Sequence, residues 1–155
     1  QAELEARFAS RQDALDGFLG AGYALHVVAK VAVMAESVDL QKAVGSGDGA
    51  WFATGDGRGR GQLRGLDGSM VDPERQASFV PTVYLYDNYP GGMGQSEPLW
   101  RRQAELVSRA RELVEACDCK AGCPACVGPV LAAQEDAQTT PRALALRVLA
   151  ALEAA

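Results

Sequence analysis

Cysteine and histidine are scarce in this sequence, and their placement carries more information than their number. The chain has four cysteines and one histidine, His26, among 155 residues. All the cysteines fall between Cys117 and Cys126, so no disulfide could join distant parts of the chain. Secreted folds distribute their disulfides, whereas clustered thiols are typical of proteins kept in a reducing compartment. We therefore expect a cytoplasmic protein.

Catalytic signatures are also missing. The sequence contains no HExxH motif, no Walker phosphate-binding motif and no Ser, His and Asp order typical of a hydrolase. Asp87, at the end of a predicted strand, could act as a base, but nothing supplies its nucleophile, so a turn-stabilising role is favoured. His26 could be a metal ligand or a base, although a lone histidine in an apolar helix more often packs in the core. The sequence predicts no catalytic residues, and we expect that this chain alone is not an enzyme.

The charge and hydropathy patterns limit the partners. With a net charge of −5, the chain has no global attraction for nucleic acid, so any DNA contact must come from a local patch. Residues 17–35 carry a single charge, Lys30, and are almost long enough to span a bilayer. Lys30, His26 and three glycines within this segment favour a helix buried in a globular core instead. The glycines, Gly17, Gly20 and Gly22, would also allow another backbone to approach this helix closely. We expect no membrane contact.

The cysteine cluster is the strongest motif in the sequence. Cys117 and Cys119 form a close pair, and Cys123 and Cys126 form a CxxC knuckle. Four thiolates satisfy the tetrahedral preference of Zn²⁺ completely, and Gly122 gives the backbone the freedom to fold around an ion. Two disulfides, or a redox pair formed by Cys123 and Cys126, are the alternatives. The main prediction is a closed Cys₄ zinc site, which has no open position for activating water.

The patterns around this motif predict an α+β fold. They indicate a strand around Leu4, Ala6 and Phe8, followed by a helix of roughly residues 14–35 capped by Asp13. Short strands with glycine turns are expected in 37–79, and a further strand at 79–86. A helix from a Ser96 cap to about Ala116 and a last helix from Thr140 to about 153 complete the pattern. Pro81 is expected at the entry of its strand or at a sheet edge. The expected inward-facing residues are Leu99, Leu106, Ala110, Leu113 and Val114 on the helix after Ser96, and Leu144, Val148 and Leu152 on the last helix. We expect one domain over residues 1–155, with a small, mostly antiparallel sheet, about three helices and the zinc knuckle at one end.

Two further features are candidates for contact with an anion or with DNA. A glycine loop, Gly91, Gly92 and Gly94, joins the strand to the following helix, where backbone N–H groups could meet a phosphate. A tight turn that needs left-handed glycines explains the same loop. Basic residues lie on that helix and in the cysteine loop, at Arg101, Arg102 and Lys120. Because glutamates such as Glu105 offset the arginines, a solvated helix face is the alternative.

Two segments together resemble a known family. Residues 86–94, YDNYPGGMG, are similar to a YD-x-x-PGG-x-G signature, and residues 117–129, CDCKAGCPACVGP, are similar to a zinc-binding cysteine run. Both belong to the MrfA-type zinc-binding domain, found at the C-terminus of DEAD/DEAH-box superfamily 2 helicases and in phage-defence proteins of the DISARM type. The resemblance is strong over roughly residues 80–130, and residues 41–79 do not align with it.

The resemblance implies that the zinc ligands are Cys117, Cys119, Cys123 and Cys126. It also implies a larger parent, of which this chain, beginning at Gln1, is a piece from the C-terminal part. That parent would unwind DNA with ATP and Mg²⁺ in motor domains elsewhere and would serve DNA repair. The expected function is a non-catalytic accessory domain that stabilises the motor or guides a single-stranded or forked DNA. A scaffold in a phage-defence complex and a thiol-redox protein are the alternatives.

Overall fold

A computed structural model describes residues 7–54, 61–89, 91, 94–129 and 139–154. Four α-helices lie wholly within them: α1 (Arg11–Val33), α2 (Ser96–Arg101), α3 (Gln103–Glu115) and α4 (Pro141–Glu153). The strands are β1 (Leu40–Ser46), β2 (Trp51–Thr54), β3 (Gln62–Gly65), β4 (Met70–Val71) and β5 (Pro81–Asp87). The predicted α+β class is confirmed. Leu4 and Ala6 of the predicted first strand lie outside the described residues. Arg7 is helical and Phe8 is buried but in no strand, so this prediction is wrong where the structure describes it.

The first helix, α1, begins earlier than predicted because a different residue caps it. The side chain of Ser10, not Asp13, accepts a hydrogen bond from the Asp13 backbone N–H. Serine and aspartate cap helices about equally well, so the pattern could not choose between them. The helix ends at Val33, and Met34 takes a left-handed conformation with φ of 51°.

The five strands form one antiparallel sheet in the order β4-β3-β2-β1-β5. Pro81 is the first residue of β5, an edge strand in this order, and at an edge its missing N–H costs no ladder bond. The prediction that Pro81 starts the strand or lies at an edge is therefore confirmed, although the strand begins two positions later than 79. Val44 on β1 pairs with Val83 on β5, and both approach α1 at Gly22.

Glycines on α1 let the last helix approach closely. A Cβ on Gly17 would lie 2.8 Å from the carbonyl oxygen of Leu144, and one on Gly20 would lie 3.0 Å from the Cβ of Ala145. A larger side chain at either position would push α4 away from α1. The expected close backbone approach at these glycines is confirmed, and it sets the position of α4 beside the cysteine loop.

The predicted helix from Ser96 to Ala116 is broken at Arg102. The Arg102 backbone has φ of −107° and ψ of 16°, and its guanidinium donates to the carbonyl oxygen of Ala32 on α1 at 3.1 Å. Ser96 is also not the N-cap: it is the first residue of α2, and its Oγ donates to Oδ2 of Asp87 at 2.7 Å. These contacts link residues far apart in the chain, which a local pattern does not report. The bond to Ser96 agrees with the turn-stabilising role expected for Asp87.

The apolar stripes of the last two helices agree with the prediction except at one residue. Leu106, Ala110 and Val114 on α3 are buried. On α4 Leu144 and Val148 are buried, but Leu152, expected to face inward, is 38% exposed because it lies in the final turn. Among the helices of the described residues, none combines the length and apolar character that crossing a bilayer requires.

Candidate metal centre

The four cysteines converge on one point between the end of α3 and the start of α4. Their Sγ atoms all lie within 4.8 Å of one another. The distance is 3.6 Å between Cys117 and Cys123, 3.5 Å between Cys119 and Cys126, and 3.7 Å between Cys123 and Cys126. All four are free thiols. The chain therefore holds four sulfur donors positioned for a metal ion.

The spacing of these sulfurs fits tetrahedral zinc. With Zn–S bonds of about 2.3 Å, the sulfurs of a ZnS₄ tetrahedron are about 3.8 Å apart. A disulfide needs about 2.05 Å instead. The three separations given above lie close to the first value, and an all-thiolate set of four is typical of structural zinc. The donors present thus fit the metal by number, chemistry and spacing.

Glycine conformation allows the loop to fold back on itself. Gly122 has φ of 116°, and a Cβ there would lie 2.7 Å from Cγ2 of Val127. The backbone N–H groups of Cys126 and Val127 both donate to the carbonyl oxygen of Cys123 at 3.1 Å, closing the CxxC turn. Cys126 is 1% exposed, so its sulfur faces the core side of the loop. The role expected for Gly122 agrees with this geometry.

Arg142, which the sequence reasoning did not single out, ties the loop to both neighbouring helices. Its backbone N–H donates to the carbonyl oxygen of Ala121 at 3.0 Å. Its guanidinium donates to the carbonyl oxygens of Val114 at 3.2 Å and Glu115 at 3.0 Å, which lie in the last turn of α3 and have no acceptor role within the helix. The only local signal is an arginine that follows the Thr140 cap and Pro141 at the start of the helix, and this pattern is not specific. Its partners become visible only in the fold.

The thiols differ in their electrostatic surroundings. Backbone N–H groups of Ala125 and Cys126 lower the pKa of the Cys123 thiol to about 7, because they stabilise the thiolate. Burial raises the pKa of the Cys126 thiol to about 12. Zinc takes thiolates, so binding releases the remaining protons, and acid opposes it.

His26 lies outside this cluster, which in the described residues consists of the cysteines alone. Its Nε2 lies 2.8 Å from the carbonyl oxygen of Leu40, the first residue of β1. Burial lowers the pKa of His26, which favours the neutral ring. These contacts agree with the interpretation of His26 as a packed residue joining α1 to the sheet.

The glycine loop has the geometry of a tight turn. Gly91 and Gly94 have φ of 89° and 75°, in the region that favours glycine, while Gly92 lies outside the described residues. The turn interpretation accounts for both angles. An anion at this loop stays a prediction.

The basic candidates for DNA contact are largely paired with acids. Arg101 forms an ion pair with Glu97, and Arg102 forms a two-pronged pair with Glu105 at 2.9 and 3.0 Å. Lys120 is exposed in the cysteine loop. Such pairing reduces the net positive charge that a phosphate would meet. DNA binding by these three residues stays a prediction.

Comparisons with known proteins agree with the fold and the thiol cluster. Over 49 residues the chain is 43% identical to the protein named uncharacterized ATP-dependent helicase YprA of Bacillus subtilis, which covers 32% of this chain and 6% of that protein. Over 45 residues it is 33% identical to uncharacterized protein MJ1572.1 of Methanocaldococcus jannaschii, covering 29% of this chain and 40% of that one. The chain thus spans less than half the length of either relative.

A solved structure, described as the DUF1998 helicase MrfA bound to DNA, has a similar fold. The match has a TM-score of 0.58 and 22% identity, and it covers 91% of this chain and 15% of that one. The family model of the MrfA Zn-binding domain matches residues 21–127, which is more than half of the chain. That match includes all the cysteines and the glycine loop. The chain therefore belongs to the MrfA Zn-binding domain family.

Proposed function

We propose that this chain is a non-catalytic accessory domain of an ATP-dependent superfamily 2 DNA helicase acting in DNA repair. In this proposal Cys117, Cys119, Cys123 and Cys126 hold one structural Zn²⁺. The ion supplies four strong bonds that close the loop and leaves no position at which water could be activated. The chemistry of ATP and Mg²⁺ belongs to motor domains of the same parent, working in the cytoplasm.

The observation that carries this proposal is the convergence of four sulfurs within 4.8 Å in a chain with no other cysteine. A redox centre needs only two thiols, so it would not account for the other two thiols lying at tetrahedral spacing. The helicase parent is supported by the similarity to a protein named as an ATP-dependent helicase and by the likeness in fold to a helicase described as bound to DNA.

The position of the cysteine loop suggests what the zinc does for the parent. The loop follows α3 directly, and Arg142, the second residue of α4, bonds both the loop and the end of α3. A metal at this point would hold α3 and α4 at a fixed angle on α1. A rigid module of this kind can pack on a motor domain and keep a single-stranded or forked DNA on its path.

The first experiment measures the metal. The chain, purified in reductant, should contain one zinc ion per molecule, and the ratio should persist when reductant is exchanged for a mild oxidant and back. A thiol-redox protein would instead cycle between dithiol and disulfide with no stoichiometric ion. A chain free of zinc and fully folded would overturn the proposed zinc site.

The second experiment tests the helicase role in the full-length parent. Cys126→Ser should leave ATP hydrolysis by the motor measurable while lowering the rate of unwinding of a forked DNA. Asp118→Asn, in the same loop but outside the thiol set and the DNA-contact candidates, is the matched control for expression and folding. Unwinding unchanged after loss of zinc would contradict the accessory role and would favour a scaffold in a phage-defence complex.

A further inference from the structure

The sheet has one face that the described residues leave open. Val44 and Val83 face α1, so the residues that alternate with them project to the opposite side. We call this surface the open face and define it by six of its side chains: Phe52, Arg64, Met70, Thr82, Tyr84 and Tyr86. The pairing register aligns several of them across the sheet, from Thr82 through Gly45 and Phe52 to Arg64 and Met70.

The open face carries the exposed aromatic rings of Phe52 and Tyr86, and contacts fix the positions of Phe52 and Tyr84. Phe52 is 41% exposed and Tyr86 is 44% exposed. A Cβ on Gly45 would lie 2.9 Å from the Phe52 ring, so the ring lies over the backbone of β1 where that strand has no side chain. The hydroxyl of Tyr84 donates to the carbonyl oxygen of Ser46 at 2.8 Å, which fixes the direction of that ring. Rings with fixed positions lose little entropy when a flat ligand covers them.

The open face differs in charge from the chain as a whole. The chain has a net charge of −5, yet none of the described strand residues on the open face is acidic. Arg64 is exposed, and its Nη1 donates to the carbonyl oxygen of Gly68 at 3.0 Å. Gln41 and Gln62 supply amides nearby. Exposed aromatics, an arginine, neutral amides and an absence of carboxylates suit a ligand that combines flat bases with phosphates.

We propose that the open face binds single-stranded DNA, with bases stacked on Phe52 and Tyr86 and a phosphate at Arg64. This inference rests on the proposed helicase function, and it assigns the DNA contact to a surface different from Arg101, Arg102 and Lys120. A protein partner fits less well, because amides and hydroxyls separate the apolar side chains on this face.

The test uses fluorescence anisotropy with the zinc-loaded chain and a labelled oligothymidylate. Stacking on an aromatic ring contributes about 1–3 kcal/mol per base, so Phe52→Leu should weaken binding about 5-fold to 150-fold. Phe52→Trp should retain affinity, since it keeps a π-face. Trp100→Ala is the matched control, because Trp100 is 72% exposed but lies on α2. Its affinity should equal that of the unmodified chain.

Two further measurements separate stacking from simple charge attraction. An abasic strand of the same length should bind at least tenfold more weakly than oligothymidylate, and a blunt duplex should also bind weakly. Arg64→Gln should lower the dependence of log affinity on log salt by about 0.7, the value of one phosphate contact in a single strand. Equal zinc content and melting temperature in every variant establish that folding is unchanged.

Three outcomes would overturn the inference: no binding of oligothymidylate, equal affinity for the abasic strand, or full affinity in Phe52→Leu. Self-association abolished by Phe52→Leu would identify the face as a protein interface and would equally overturn it. None of these results bears on zinc content or on unwinding by the parent. The proposed function is therefore tested separately, by the zinc and unwinding experiments given for it.

Discussion

The cysteine loop and the sheet are stabilised by different means. The loop buries few large side chains, and its shape depends on four thiols, two glycines with positive φ and the bonds of Arg142. The sheet depends on apolar burial: Trp51 and Leu63 are fully buried, and the Trp51 ring stacks on Phe79 at 5.5 Å. In a small domain, a metal can thus stabilise a region that buries little apolar surface, while side-chain packing stabilises the region that buries more. The following changes should separate the two regions.

The largest effect is expected from Cys123→Ser, which removes one of the sulfurs. Zinc binding supplies roughly 10–16 kcal/mol in zinc-finger peptides, so its loss should release the cysteine loop and loosen α4. Hydrogen exchange should show faster exchange in residues 117–129 and 141–153, with the protection of β1 and β5 retained. Asp118→Asn, an exposed neighbour in the loop, should bind zinc normally. Uniform loss of protection across the sheet would contradict the separation.

Trp51→Ala should destabilise the sheet and leave the cysteine loop and its zinc binding intact. Removing a fully buried tryptophan costs about 3–5 kcal/mol, and here it also removes the Nε1–H bond to the carbonyl oxygen of Ser78. Denaturant unfolding should show this loss, while the folded fraction keeps its full zinc content. Phe52→Ala, the neighbouring residue on the open face, is the exposed control and should cost far less. Loss of zinc in folded Trp51→Ala would show that the two regions are coupled.

Two glycine substitutions compare a crowded turn with an open one. Gly122→Ala combines backbone strain of about 1–3 kcal/mol with a contact 2.7 Å from Cγ2 of Val127. Gly91→Ala also has a positive φ, but its Cβ would meet nothing within 4 Å, so only about 1–2 kcal/mol is expected. Thermal unfolding measures both. Zinc affinity should fall for Gly122→Ala alone, and equal effects of the two changes would contradict this difference.

Arg142→Met should give the smallest of these effects. It leaves the carbonyl oxygens of Val114 and Glu115 without this donor, at a cost of about 0.5–1.5 kcal/mol because water can reach the site, while the backbone bond to Ala121 remains. Zinc should transfer faster to a chelator, because the loop is less firmly held. Arg147→Met, further along α4, is the matched control. An unchanged transfer rate would mean that Arg142 stabilises α3 without positioning the loop.

The predictable features are those that the chain encodes within a few residues. The Thr140 cap with Pro141 at the start of α4, the close-approach glycines of α1, the edge position of Pro81 and the clustering of thiols follow from local chemistry. The wrong predictions share another cause. Ser10 in place of Asp13, the break at Arg102 and the exposure of Leu152 depend on which of two equivalent local solutions the surrounding structure favours.

By itself the sequence determined the donor atoms and the approximate elements, because thiolate chemistry, caps and apolar spacing act over one or two helical turns. Only the tertiary structure decided that Arg142 holds the cysteine loop and that Phe52, Arg64 and Tyr86 share one open face of the sheet. These relations join strands and helices far apart in the chain. They arise from register and packing, which no short segment specifies alone.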